Sequence, residues 1–416
     1  MNILMVYPEP DINKKTRFGF SYDLLLIATI LSKYHKVRIH DYSCEQFSSD
    51  AFEQELIYEN YDIVFVECDS FALKRSENLL CARSIVELVK NKSISICYGN
   101  YCYISKQKFE TADYTVTTNE INEIIRLVNQ LDQRIKVPEI SSYDALPYID
   151  RNLLNDIEFY DQNRHNTLLQ TSKGCENTCI FCQRKGWQSK YVTHSDEYVI
   201  DEIKILQKYG YRNVWITDEN FTFNLIRAKR LLRKIVDLEL GNAINFFISS
   251  WANIDYEFID LAQKCNVRII SFGIESANKE ILKFYRKNIY LDKVIPLIKY
   301  ANYKGIFTVG NFIIGAPMET KDSIEKTFDL IRECEFDQVN IKNLDYMIGS
   351  ELYEGLDNNL KDKDHIFACA ENGLTCFTLH EIKKIKTLFL SDYYKEHREV
   401  LGKKIKMYGL PYYVKQ

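Results

Sequence analysis

Thr171-Ser-Lys-Gly-Cys-Glu-Asn-Thr-Cys-Ile-Phe-Cys182 is the stretch on which the reading of this chain turns. Its cysteines, Cys175, Cys179 and Cys182, have the spacing C-x3-C-x2-C. A loop with thiolates at these intervals can curl around one iron–sulfur cubane and ligate three of its irons. An electron-transfer cluster takes four protein thiolates, so three leave one iron open to a substrate or cofactor. The run Thr167-Leu-Leu-Gln-Thr171 reads as a short strand leading into the loop, and Gly174 permits a tight turn before the first ligand. Two other readings stand beside this one. Buried free cysteine is a common small hydrophobe, and the chain has 12 cysteines. A zinc site would need a fourth ligand; His194, the nearest downstream candidate, lies outside any regular zinc spacing.

Outward from this loop, strand and helix patterns alternate. Strands are expected at 167–171, 213–217, 246–250, 268–273, 307–315 and 338–342, with helices at 196–209, 225–238, 256–264, 291–303 and 320–334. Six βα units in series predict a parallel, partly closed barrel, in which chemistry sits at the carboxyl ends of the strands. The polar motifs fall there. Trp215-Ile-Thr-Asp-Glu-Asn-Phe-Thr222 places Asp218 and Glu219 where they could accept hydrogen bonds from an ammonium group; the plainer reading is an exposed turn or helix cap. Ser271-Phe-Gly-Ile-Glu-Ser276 offers Glu275 and Ser276 to a ribose hydroxyl and a carboxylate, with Gly273 allowing close backbone approach. A cap formed by Ser276 and Glu280 is the alternative. Gly310-Asn-Phe-Ile-Ile-Gly-Ala-Pro-Met-Glu-Thr320 could lay Ile313 and Ile314 beside an adenine ring, with Glu319 and Thr320 starting the next helix.

Before the barrel, residues 1–131 show a second alternation. Strands are expected at 3–7, 36–40, 62–67, 93–98 and 114–117, and helices at 22–34, 76–89 and 119–131. Such alternation indicates a Rossmann-like, doubly wound parallel sheet. Residues 132–165 read as a linker, in which Ser141–Arg151 carries a proline and no clean period. The barrel occupies 166–345, and 346–416 is a mainly helical tail whose clearest pattern covers 379–398. The fold class is therefore α/β: a doubly wound sheet, a partial (β/α)6 barrel and a helical tail.

Composition is that of an ordinary globular protein, with 46% hydrophobic and 27% charged residues. A net charge of −4 gives no electrostatic case for nucleic-acid binding. The chain has no apolar run long enough for a membrane span and no basic leader, so neither an integral-membrane role nor a signal peptide is expected. Scattered cysteines point to a reducing cytoplasm. Cys369 and Cys376 in the tail are too few for an auxiliary cluster, and His365 and His380 have no metal spacing.

Taken together, the cysteine motif, Phe181 before the third cysteine, Asp218-Glu-Asn-Phe-Thr222, Gly273-Ile-Glu-Ser276 and Gly315-Ala-Pro-Met-Glu-Thr320 resemble the radical SAM superfamily over 166–345. The resemblance implies a [4Fe–4S] cluster on Cys175, Cys179 and Cys182. It also implies S-adenosyl-L-methionine (SAM) held by Phe181, Asp218, Glu219, Glu275, Ser276, Ile313 and Ile314. One-electron cleavage of SAM would give methionine and a 5′-deoxyadenosyl radical that attacks an unactivated carbon, with flavodoxin or ferredoxin as reductant. The N-terminal sheet, the stretch Tyr143-Asp-Ala-Leu-Pro-Tyr-Ile-Asp-Arg151 and Gly349-Ser-Glu-Leu-Tyr353 resemble the cobalamin-binding subgroup. That implies a cobalamin-dependent transferase, moving a methyl group or rearranging or cyclising a small-molecule, lipid or peptide substrate. Cobalamin contacts would fall in 8–20, 69–73 and 99–103. The chain departs from the subgroup in lacking Asp-x-His-x-x-Gly, in having Gly99-Asn100 for paired glycines, and in Thr117-Thr-Asn-Glu120 for a glycine-acid turn. Two alternatives follow: a cobalamin-independent radical SAM enzyme with a degenerate first domain, performing dehydrogenation, epimerisation or C–C or C–S bond formation, or a non-catalytic cluster protein acting as a sensor. The sequence names no catalytic residue beyond the cofactor sites.

Overall fold

The computed structural model describes residues 1–8, 20–68, 76–105, 109–116, 121–162, 165–185, 190–361 and 365–408. The chain divides into two compact units, Met1–Leu168 and Leu169–Gln416.

The first unit is built on five parallel strands, β1 (Asn2–Tyr7), β2 (Lys36–Asp41), β3 (Ile63–Glu67), β4 (Ile94–Tyr98) and β5 (Tyr114–Val116), in the order β2-β1-β3-β4-β5. Helices α1 (Tyr22–Leu31), α2 (Ser49–Glu59), α3 (Ser76–Val89), α4 (Asn100–Ile104), α5 (Ile121–Leu131) and α6 (Glu158–Gln162) accompany it. Every residue of β3 is buried, as in a strand covered on both faces. Helix α1 is buried almost all round, and the Ser21 hydroxyl caps it by accepting from Leu24 N. Helix α2 had no counterpart in the sequence reading. Only Phe52 and Leu56 on it are buried, too thin a stripe to set a period, and Ser48 and a left-handed Asn60 define its ends. Two asparagines of α5 clip the chain that follows. Asn122 exchanges bonds of 2.9 and 2.7 Å with the Ile140 backbone, and Asn129 does the same with Val137 at 2.9 and 2.7 Å. Residues 132–162 are thus an ordered strap with Leu146, Ile149, Leu154 and Ile157 buried.

The second unit carries a six-stranded parallel sheet, β6 (Asn166–Leu169), β9 (Asn213–Ile216), β10 (Asn245–Trp251), β11 (Val267–Glu275), β12 (Phe307–Ile314) and β13 (Gln338–Asn343), each paired with the next in chain order. The sheet is open: β6 and β13 form its two edges. Short antiparallel pairs join β7 (Ser172–Lys173) to β8 (Val192–Thr193) and β14 (Asp345–Met347) to β15 (His365–Phe367). Helices α7 (Asp196–Lys208), α8 (Leu225–Asp237), α9 (Tyr256–Lys264), α10 (Lys279–Phe284), α11 (Leu291–Tyr303) and α12 (Lys321–Cys334) connect the strands, followed by α13 (Glu351–Glu354) and α14 (Leu379–Tyr408). Caps fix their starts: Thr320 and Ser323 form a reciprocal capping box on α12. Asn278, not Ser276, caps α10.

The tail is more than a helix. Phe389 of α14 stacks on Phe328 of α12 at 3.9 Å, and the Tyr393 hydroxyl donates to Phe336 O at 2.6 Å. The Tyr394 hydroxyl accepts from Val339 N at 2.8 Å, so α14 packs beside the β13 edge. Among the described residues no helix is long and apolar enough to cross a membrane.

Candidate cluster site at the barrel mouth

The cysteine loop is tied down at both ends. At its start the Asp218 carboxylate, 2% exposed, accepts four bonds: from Thr171 N at 2.7 Å, Thr171 Oγ1 at 2.5 Å, Ser172 N at 3.0 Å and Ser172 Oγ at 2.6 Å. A carboxylate has about four lone-pair sites, so Asp218 is saturated by the chain itself. Burial pushes its pKa up against these bonds. The arrangement corrects the expectation that Asp218 serves a ligand ammonium: it holds the chain leading into the loop. Arg227 strengthens the same corner, donating to Thr171 O at 2.7 Å.

Glu219, its neighbour, reaches the loop proper. Its Oε2 accepts from Gly174 N at 2.8 Å, next to the first cysteine, and its Oε1 lies 3.3 Å from Arg184 Nε. Gly174 has φ of 86°, the conformation its lack of a side chain allows.

At the far end, Cys182 N donates to Cys179 O at 3.1 Å, closing a turn. Ile180 N donates to Tyr285 O at 3.4 Å, and Ile180 O accepts from Leu352 N at 3.1 Å. Gln183 Nε2 donates to Ile348 O at 3.0 Å. Phe181 meets Tyr285 edge-on at 5.2 Å and packs in a small apolar cluster with Ile313, Tyr346, Tyr353 and Ile366. Ile313 and Phe181 therefore share one cluster. Ile314, the next residue along β12, faces the opposite side and is buried in the main core, so it is not brought to the site.

Glu275 ends β11 with φ of 72°, and its carboxylate pairs with the buried Lys287 ammonium. Lys287 also lies 4.7 Å over the Trp251 ring. Gly273 leaves room for this pair: a Cβ there would sit 2.7 Å from Lys287 Nζ and 3.0 Å from Glu275 Oε1. Ser276 is turned inward. Its Oγ accepts from Asn278 N at 3.1 Å and lies 3.4 Å from Thr327 Oγ1, a supporting role for the α10 cap. Glu319 folds back on its own turn, accepting from Gly315 N at 3.2 Å and Ser323 Oγ at 2.8 Å. The Tyr285 hydroxyl is buried without a hydrogen-bond partner.

The three thiols form no disulfide and influence one another. Burial pushes Cys179 up to about 12, with Lys287 pulling the other way, and burial raises Cys175 as well. Among the described residues, no three His, Cys, Asp or Glu side chains are gathered as ligands of a single ion. A cubane asks for a different arrangement, with separate thiolates at separate corners. The donor set fits it. Three soft sulfur ligands stand on one short loop, and Arg184 Nε beside them is buried with no hydrogen-bond partner. Arg184 and Lys287 escaped the sequence reading because each pairs with an acid from another loop; a basic residue just past the third cysteine was the one available signal.

A parallel barrel with this loop at the carboxyl end of its first strand defines a class, and comparison with known proteins agrees. Residues 169–331 match the model of the radical SAM superfamily. An uncharacterised methyltransferase of Pyrococcus horikoshii is 32% identical over 240 residues, 55% of this chain and 49% of that protein. Cytidylyl-2-hydroxyethylphosphonate methyltransferase of Streptomyces wedmorensis is 30% identical over 44% of this chain and 36% of its own length. The chain thus spans half or less of these curated relatives. Among solved structures, the radical S-adenosylmethionine methyltransferase TsrM from Kitasatospora setae, with cobalamin and a [4Fe–4S] cluster bound, superposes with a TM-score of 0.69. It covers 85% of this chain and 77% of TsrM at 16% identity. The cobalamin-dependent S-adenosylmethionine radical enzyme OxsB with aqua-cobalamin bound gives 0.61, over 86% of this chain and 55% of OxsB at 18% identity. At these identities the likeness establishes the fold.

Proposed function

We propose that this protein is a cobalamin-dependent radical SAM enzyme that transfers a methyl group to an unactivated carbon of a small-molecule substrate. The observation that carries the reading is the cysteine loop, fixed at the carboxyl edge of the barrel by Asp218 at one end and by Tyr285, Ile348 and Leu352 at the other. Cys175, Cys179 and Cys182 would hold a [4Fe–4S] cluster, which supplies the electron that splits SAM. Glu219 reaches Gly174 beside the first cysteine and is the better candidate for the SAM ammonium, now that Asp218 is saturated. Phe181 and Ile313 offer apolar contact, and Glu275 a hydrogen-bond acceptor.

Cobalamin would take the carboxyl edge of the first sheet. The strand order 2-1-3-4-5 places a switch point between β1 and β3, where sheets of this kind bind ligands. At that edge Gly99 has φ of 131° and ψ of 168°, presenting bare backbone. Asn100 is buried and begins α4. The expected contact segments 8–20 and 69–73 lie almost wholly outside the described residues, as does Thr117-Thr-Asn-Glu120. Methyl transfer is favoured by the likeness to methyltransferases, TsrM among them.

The test is the corrin and iron content of protein purified without oxygen from cells supplied with cobalamin. One corrin and one [4Fe–4S] cluster per chain is the expected result. A full cluster without corrin would overturn the cobalamin part and leave radical chemistry without a methyl donor. A cluster that yields no deoxyadenosine from SAM with dithionite would favour a sensor.

A further inference from the structure

Two cations flank the cysteine loop, and neither is explained by holding the fold together. Lys287 is almost fully buried, its side chain 3% exposed, and its partner Glu275 is 10% exposed. A buried ion pair loses so much hydration that apolar residues of similar size often serve stability as well or better. The chain nonetheless makes room for this one. It leaves Gly273 without a side chain where a Cβ would strike the ammonium. It holds Glu275 at a positive φ that non-glycine residues avoid. It lays Trp251 under the charge. Directly after the loop, two residues past Cys182, stands Arg184. Its Nε is 3.3 Å from Glu219 Oε1 but outside hydrogen-bond geometry, so that N–H is buried and unpaired.

Both cations stand next to the cysteine loop: Lys287 follows Tyr285, whose backbone bonds Ile180 of the loop, and Arg184 comes two residues after Cys182. Burial works against the Arg184 charge, and Glu219, then Cys182 and Cys175, restore it. The backbone bond from Ile180 to Tyr285 holds the Lys287 segment beside the second cysteine.

We propose that Arg184 and Lys287 are positioning residues that set the reduction potential of the cluster on Cys175, Cys179 and Cys182. The inference rests on the cluster assignment above. A cubane bound by three thiolates is already anionic, and the electron it accepts from a one-electron reductant adds a further negative charge. In a partly buried site that charge is poorly solvated. Two fixed cations beside the loop stabilise the reduced form more than the oxidised one and draw the potential upward. Charge and hydrogen bonding around the sulfurs are known levers on such potentials.

The test is a redox titration of the full-length, cluster-loaded protein, followed by the EPR signal of the reduced cluster, with iron and sulfide measured on each sample. Arg184→Gln and Lys287→Gln remove one charge each; Arg184→Lys and Lys287→Arg keep it. We expect each glutamine variant to retain its iron and sulfide. The ratio of reduced to oxidised cluster at a fixed potential should fall about tenfold, which for one electron is a shift of about 59 mV to more negative values. The charge-keeping variants should stay close to the parent. Glutamine variants with full clusters and an unmoved potential would overturn the proposal, as would charge-keeping variants that shift equally. If Lys287→Gln does not fold, Arg184→Gln decides, since that side chain is about one-third exposed. Loss of cluster in Arg184→Gln would assign it to assembly and overturn the tuning role. A parent protein that holds no [4Fe–4S] cluster would fail at the earlier step and refute the functional reading instead.

Discussion

The two parallel sheets finish in opposite chemical styles. At the carboxyl edge of the barrel sheet stand Asp218, Glu219 and Glu275, with Arg184 and Lys287 paired to the latter two. At the carboxyl edge of the first sheet stand Cys68, Cys97 and Cys102, all fully buried, and the bare backbone of Gly99. Burial, then Cys102 and Cys97, push the Cys68 thiol well above its ordinary range, so that thiol stays neutral. The carboxylates that end β2 and β3, Asp41 and Glu67, are buried and bonded by hydroxyls, Asp41 by Ser43 at 2.5 Å and Tyr160 at 2.6 Å and Glu67 by Ser21 at 2.8 Å. Buried charge is costly, and a fold keeps it where charge is to be handled. An edge of buried thiols, with its acids bonded within the unit and glycine at its rim, suits a broad, flat ligand face. The contrast matches the two cofactors proposed, one reduced at the barrel and one cradled by the first sheet.

Breaking the charged edge has the largest expected effects. Cys179→Ala should abolish the cluster and all cleavage of SAM, seen as loss of bound iron and of deoxyadenosine; retained cleavage would sink the assignment. Asp218→Asn should destabilise the second unit by about 3 kcal/mol, because the amide keeps one acceptor and turns its donors on Thr171 and Ser172. Trp215 and Trp251 lie in the second unit, and no tryptophan lies in the first, so tryptophan fluorescence in urea follows the second unit. An unchanged midpoint would contradict the clamp.

The first unit gives smaller, sharper tests. His40 on β2 sits between Glu55 at 2.9 Å and Glu45 at 3.4 Å. Burial opposes its charge, but hydrogen bonds to Glu45 and Glu55 prevail and lift it from 6.5 to about 9. A raised folded pKa means that the stabilisation is complete below about pH 6.5 and fades as pH climbs through about 9. We expect about 2 kcal/mol, read as the gap in amide-exchange protection of β2 between the parent and His40→Gln, present at pH 6 and closed by roughly pH 10. A gap that persists at the higher pH would show that the ion pairs are not its source. Gly99→Ala should cost about 1–2 kcal/mol, since an L side chain is strained at its φ. It should also lower corrin content. Full corrin in that variant would argue against this edge as the cobalamin seat.

Much of this was legible in the sequence because it rests on local signals. The uniformly apolar Ile63–Glu67, the alternation from Asn213 onward and the cysteine spacing each carry their own period or motif. Helix α2 did not, having only two buried residues, and neither did the six-residue α10 or the β14–β15 pair. The site was harder still. Asp218 and Glu219 are adjacent and alike in charge, yet one is saturated by the strand before the loop and the other reaches Gly174. Which does which depends on where two loops meet. For the same reason Ile313 and Ile314 parted company, and Lys287 stayed hidden until Gly273 and Trp251 were seen around it.

The bonds from Ile348 and Leu352 to the cysteine loop have a consequence for the birth of the protein. Gln183 and Ile348 are 165 residues apart in the chain. On a ribosome adding about 5–20 residues per second, the cysteines emerge many seconds before the segment that fixes them. During that interval the thiols are exposed on an unfinished loop, open to oxygen and to stray metals. The geometry of the cysteine loop is therefore completed only when residues 348–352 have been made.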